Sequence, residues 1–91
     1  MSANFHLKLL SPDRSVIDGE ASAVIIPGRE GDFTALPLHM PLITSLREGE
    51  IEVHQPGSKP RIFKVSGGFA DVGQHHCTVL AEDLTEETTK L

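Results

Sequence analysis

The sequence predicts an all-β domain, a sandwich or barrel of about nine or ten short strands. Three observations carry this. Proline and glycine punctuate the chain densely, at Ser11-Pro12-Asp13, Pro27-Gly28, Pro37, Pro41, Pro56-Gly57, Pro60, Gly67-Gly68 and Gly73. The longer stretches between them, 14–26 and 42–55, are themselves interrupted by Gly19 and Gly49, which leaves little room for the roughly ten residues an ordinary helix needs. The pieces themselves alternate apolar and polar residues with period two, the pattern of a half-buried strand.

Taken in order, Phe5, Leu7 and Leu9 alternate with His6 and Lys8. Ala23 to Ile26 is apolar on both faces and ends at Pro27-Gly28. Ile51 and Val53 alternate with Glu50, Glu52 and His54. Phe63 and Val65 point away from Ile62. A hairpin is expected to join 49–55 to 61–66 through Pro56-Gly57-Ser58-Lys59-Pro60, a loop too proline-rich for a two-residue primed turn. Cys77, Val79 and Ala81 share a face opposite Thr78, Leu80 and Glu82. Apolar residues on both faces, at 23–26, 61–65 and 78–80, imply strands covered twice or an outer face that meets a partner. Residues 1–84 make the domain. Residues 85–91 are polar without an apolar face and read as a tail.

The chain has 91 residues, room for one domain. Acidic residues outnumber basic ones 13 to 8, and the formal charge of −5 argues against a nucleic-acid-binding surface, which needs clustered Lys and Arg. No basic run marks an anionic membrane, and the longest apolar run, Ala23 to Ile26, is too short to cross a bilayer. The single cysteine, Cys77, precludes an intramolecular disulfide. The opening MSANFHLKLLSPDR lacks the form of a signal peptide, so cytosol or the aqueous face of a membrane complex is expected.

Candidate chemistry is sparse. Gly28-Arg29-Glu30-Gly31 lacks the spacing of a phosphate loop and reads as a turn. His75, His76 and Cys77 raise a metal hypothesis, but zinc needs about four convergent ligands and adjacent strand residues face opposite ways. Glu30, Asp32 and Glu48 read as solvated loop acids, with no pocket to separate their pKa values. Ser66 lies in Val65-Ser66-Gly67-Gly68, which lacks the nucleophile-elbow pattern. The stretch from Glu30 to Ile43 is the most unusual. It holds two prolines, His39 and Met40, and acids on either side of Gly31. It reads either as a strand with a kinked connection or as a contact loop whose prolines present side chains rigidly.

The run PGREGDFTALPLHMPLI resembles the signature of the epsilon subunit of bacterial F-type ATP synthases (the delta subunit in mitochondria), typically PG-x-EGDFG-x-LPGHAPL. FHLKLLSPDRSVIDGEASAVIIPG, LREGEIEV, and VSGGFADV followed by CTVLAEDL resemble further family segments in register, from about Phe5 to Leu84. The resemblance implies a flattened sandwich of about ten strands at the foot of a central stalk. It implies no catalytic site, no cofactor, and two partners: the gamma subunit and the ring of membrane c subunits. It implies a rotor part that couples proton or sodium flow to ATP synthesis. Membrane association is then peripheral, through the complex, at the cytoplasmic face of the bacterial inner membrane. Asp32, with Glu30 beside it, falls on the c-ring contact. His39, with Met40 and Pro41, falls on the gamma contact. Thr34 and Leu38 stand where the family commonly has glycine, and Met40 where alanine is common. A glycine needing positive φ would place strain at Thr34. Most family members continue into a C-terminal helical hairpin that in some binds ATP. The sequence given stops at Leu91, so no nucleotide is expected there.

Two other readings stay in view. One is a stand-alone β-sandwich ligand or metal module built on His75, His76 and Cys77. The other is a small hydrolase, for which no triad or dyad is visible.

Overall fold

The computed structural model describes residues 4–87, which hold ten strands. They are β1 (Phe5–Ser11), β2 (Arg14–Ala21), β3 (Ala23–Gly28), β4 (Gly31–Ala35), β5 (Leu42–Leu46), β6 (Gly49–His54), β7 (Arg61–Val65), β8 (Gly67–Val72), β9 (His76–Glu82) and β10 (Thr85–Glu87). They pair into one curled sheet in the order β10-β7-β6-β3-β5-β8-β9-β1-β2, with β4 also paired to β3. β1 and β9 run parallel, and the other pairings are antiparallel. The all-β, ten-stranded expectation holds.

The period-two pattern decides which faces turn inward. Phe5, Leu7 and Leu9 of β1, Ile51 and Val53 of β6, Phe63 and Val65 of β7, and Cys77, Val79 and Ala81 of β9 are all buried in one core. Burying each large side chain contributes about 1.5–3 kcal/mol. β3 is apolar throughout because it is central: it pairs with β4, β5 and β6. Curling one sheet around this core lets Val, Ile and Leu fill it with no Trp or Tyr.

Two sequence expectations need correction. Gly67-Gly68 reads as a break, yet both residues begin β8. Gly68 has φ +136, and a Cβ there would lie 2.0 Å from the Leu80 carbonyl oxygen, so only glycine lets β8 approach β9 so closely. The segment read as a polar tail also starts as a strand, so the sheet runs past residue 84 to Glu87. Thr85, Glu86 and Glu87 pair with Lys64, Phe63 and Ile62. Polar composition hid this edge strand because ion pairs hold it. Arg61 Nε and Nη2 fork onto Glu86 Oε2 and Oε1 at 2.8 and 2.9 Å, and Lys64 meets Glu87 at 3.1 Å. Residues 88–91 lie outside the described residues.

The pairing sorts the connections onto two rims. One rim gathers the turns at Pro12-Asp13, Arg29-Glu30, Arg47-Glu48, Ser66 and Asp83-Leu84, as the pairs Ser11↔Arg14, Gly28↔Leu46, Leu46↔Gly68, Gly67↔Glu82 and Gly49↔Val65 require. The other rim gathers Ser22, the loop 36–41, the loop 55–60 and the turn 73–75.

Candidate functional surfaces

The first rim carries Asp13, Glu30, Asp32, Glu48 and Asp83, all exposed. Its turns are tied together. The Arg29 N–H donates to the Ser45 carbonyl at 2.9 Å, and the Arg47 N–H donates to the Pro27 carbonyl at 3.0 Å. These bonds clip the β3–β4 turn to the end of β5. The arginines of this ledge are also engaged. Arg29 Nε donates to Ser45 Oγ at 3.2 Å, and Arg47 Nη1 donates to the Glu48 carbonyl at 3.0 Å. Arg47 Nη2 forms an ion pair with Asp32. Glu30 has no hydrogen bond or ion pair among the described residues. The two acids expected at one contact therefore differ: Asp32 is held by a cation and Glu30 is free. On the same rim, the Ser11 hydroxyl donates to Asp13 at 2.8 Å and holds its carboxyl below the ordinary carboxylate range.

His39, Met40 and Pro41 lie on the opposite rim, at the far end of β4 from Glu30 and Asp32. Their loop is pinned at several points. The Leu38 N–H donates to the Gln74 carbonyl at 2.8 Å, and the His39 N–H to the Leu36 carbonyl at 3.1 Å. His39 Nδ1–H donates to the Met40 carbonyl at 2.6 Å, and the His39 ring lies 6.0 Å from the Phe33 ring. His39 is half-buried, while Met40 and Pro41 are exposed. The strain expected at Thr34 falls instead on Leu38, which has φ 67. Thr34 sits within β4, paired with Ile25. The turn comes four residues later, so the left-handed residue comes there too.

The loop leads into a broader apolar face that residue-by-residue reading did not single out as a site. Phe69 of β8 is 59% exposed and Leu80 of β9 is 44% exposed, and they are register partners. Leu10 of β1 is half-buried next to Leu80 in the parallel pair. Ile43 of β5 is 76% exposed, opposite Asp71 and diagonal to Phe69. The signal present in the sequence was the apolar content of both faces at 78–80. Only sheet pairing shows that Leu10, Leu80 and Phe69 form one row.

The residues of the metal hypothesis diverge. Cys77 is fully buried, and burial pushes its thiol up to about 12. His76 points outward, 3.6 Å from Asp71. Among the described residues, no three His, Cys, Asp or Glu side chains gather as a metal site requires. Shallow hollows of about 220, 350 and 300 Å³ open near Glu48 to Glu50, Ser11 to Arg14 and Ser66. Glu30, Asp32, His39, Met40 and Pro41 line none of them.

One β-sandwich thus carries an acidic ledge on one rim, a pinned apolar loop on the other and an exposed apolar sheet face. Its candidate residues lie on the surface and not in a cavity. The chain belongs to the family described as ATP synthase, Delta/Epsilon chain, beta-sandwich domain, whose model matches residues 4–87. It is 44% identical over 84 residues to the ATP synthase epsilon chain of Caulobacter vibrioides, covering 92% of this chain and 96% of that one. It is 41% identical over 83 residues to the epsilon chain of Paramagnetospirillum magneticum, and 39% over 83 residues to that of Rhodospirillum rubrum. In both cases 91% of this chain covers 62% of the relative. The chain thus spans nearly all of one relative and about three-fifths of the others.

Solved structures that share the fold include chains of two mitochondrial ATP synthases. One is a chain of the Euglena gracilis mitochondrial ATP synthase, in a structure of its OSCP/F1/c-ring. The TM-score is 0.86 at 25% identity, over 94% of this chain and 55% of that one. The other is a chain of the Tetrahymena thermophila mitochondrial ATP synthase central stalk and c-ring, with a TM-score of 0.75 at 14% identity, over 89% and 65%. The second shows likeness of fold alone.

Proposed function

We propose that this chain is the central-stalk coupling subunit of a proton- or sodium-driven rotary ATP synthase, working without a catalytic site of its own. It binds the gamma subunit through the loop 36–41 and the adjoining apolar face, and it seats on the c-ring through the acidic ledge. It sits at the cytoplasmic face of a bacterial inner membrane, held there by the complex.

One observation supports this most directly. Glu30 and Asp32 lie on one rim of a single hydrogen-bonded sheet, and His39, Met40 and Pro41 lie on the opposite rim. A part that passes torque between two partners needs two separate grips on one stiff body. The sheet supplies the stiffness, since its strands form one continuous ladder around a packed core. The grips differ in chemistry. The apolar face gives affinity through burial of Phe69, Leu80 and Ile43. The acidic ledge gives orientation toward basic or amide-rich loops. Of the two acids, Glu30 is the carboxylate available to a partner, and Arg47 fixes the position of Asp32.

Titration calorimetry of the 91-residue chain with purified gamma subunit tests the first grip. A one-to-one complex, weakened by His39→Ala, supports the reading. Absence of binding would reject it. For the second grip, Glu30→Arg is expected to reduce retention of the assembled rotor on c-ring liposomes, with gamma affinity unchanged. Equal retention removes the ledge assignment.

A further inference from the structure

We propose that Leu38 is an anchor residue: an apolar side chain held out on a rigid loop to enter an apolar recess of the gamma subunit. This rests on the reading that the loop rim and its adjoining face meet gamma, and it adds to that reading a residue and a chemistry.

The case begins with the backbone. Leu38 has φ 67, the left-handed region, where an L residue's Cβ crowds the neighbouring carbonyl and glycine does not. Leucine at this position is therefore costly to the free fold. Burial does not return that cost, because Leu38 is 65% exposed. Its neighbours behave alike: Leu36 is 50% exposed and Met40 is 78% exposed. All three hold apolar surface in water. In the isolated domain this exposed surface contributes little to stability, and a partner that buries it would make it favourable.

The loop is built to hold such an anchor still. Leu38 is itself fixed through its N–H to the Gln74 carbonyl, and the next residue closes a turn on Leu36. The His39 ring bonds the Met40 carbonyl and packs near Phe33. A side chain positioned before binding loses less freedom on binding. The occupant follows from continuity. The chain leaves the loop through Pro41 into β5, whose Leu42 and Ile43 are exposed, and Ile43 lies diagonal to Phe69 on the face assigned to gamma. From Thr34 to Thr44 the sequence contains no Asp, Glu, Lys or Arg, so the recess that receives Leu38 is apolar. This grip should be insensitive to salt, unlike the acidic ledge.

The test uses the full chain and purified gamma, with Leu38→Gly and Leu38→Asn compared with the parent. Both replacements suit a left-handed residue. Both are expected to raise the urea midpoint while weakening gamma binding at least about tenfold. The weakening should be the same at low and high salt. A merely structural role for Leu38 would not move stability and affinity in opposite directions. If the parent binds gamma and Leu38→Gly binds as tightly, the anchor is overturned and the gamma reading stands. If the parent itself fails to bind, both fall. If the parent self-associates in sedimentation and Leu38→Gly abolishes this, the occupant is a second copy and the proposal is overturned.

Discussion

Gly68→Ala isolates the close approach of β8 to β9. The added Cβ would stand 2.0 Å from the Leu80 carbonyl oxygen and 3.0 Å from Ala81 Cα. Both are backbone atoms, so no flexible side-chain end can move aside. The φ of +136 adds a conformational cost of about 1–3 kcal/mol. Relief of the clash requires β9 to shift, which would disturb the pairing of Phe69 with Leu80 and Ala70 with Val79. A small β domain holds about 5–15 kcal/mol in all. The expected loss is therefore at least about 3 kcal/mol, a large share of that total. Gly57→Ala is the control: it has φ +75 but no atom within 4 Å of its Cβ, so only the left-handed conformational cost of about 1–2 kcal/mol applies. Urea unfolding followed by far-UV circular dichroism reads both, since the chain has no Trp or Tyr for fluorescence. A Gly68→Ala variant within about 1 kcal/mol of Gly57→Ala would refute the steric reasoning.

Two further outcomes follow from ionisable groups. Hydrogen bonds from Arg61 hold the Glu86 carboxyl below its ordinary range. Its stabilising contribution is present above the unfolded-state pKa and is lost as pH falls through the lower folded-state value. Because the pair is partly exposed, Arg61→Ala should cost about 0.2–1 kcal/mol at neutral pH and less in acid, read as urea midpoints at several pH values. The Cys77 thiol, pushed up to about 12 by burial, should react with iodoacetamide at pH 8 at least about a thousandfold more slowly in the folded chain than in urea. Its preference for the neutral form also predicts falling stability as pH rises above the unfolded thiol's value of about 8.5. Rapid labelling without denaturant would show that Cys77 is not in the core.

Strand existence and facing were legible because they are local. Alternation at Phe5-Leu7-Leu9, at Ile51-Val53 and at Cys77-Val79-Ala81 sets the inward face wherever one side of a strand meets water. The loop 36–41 was legible as unusual from its prolines, and the positions of Glu30, Asp32 and His39 came from motif register. Partnership across the sheet was not legible, because pairing joins residues far apart in sequence. Nothing near Thr85 announces Lys64, and nothing near Asp32 announces Arg47. Arg61 and Lys64 supply what β10 lacks in apolar residues, so a polar segment becomes an edge strand.

By itself, then, the sequence determined an all-β chain with a Val-, Ile- and Leu-rich core, because period two and turn chemistry act within a few residues. The tertiary structure decided the rest. It separated the acidic ledge from the loop rim, gathered Leu10, Leu80 and Phe69 into one apolar row, and put the left-handed backbone at Leu38. Each of these depends on strand register between distant segments, and register is fixed by collective burial of one core.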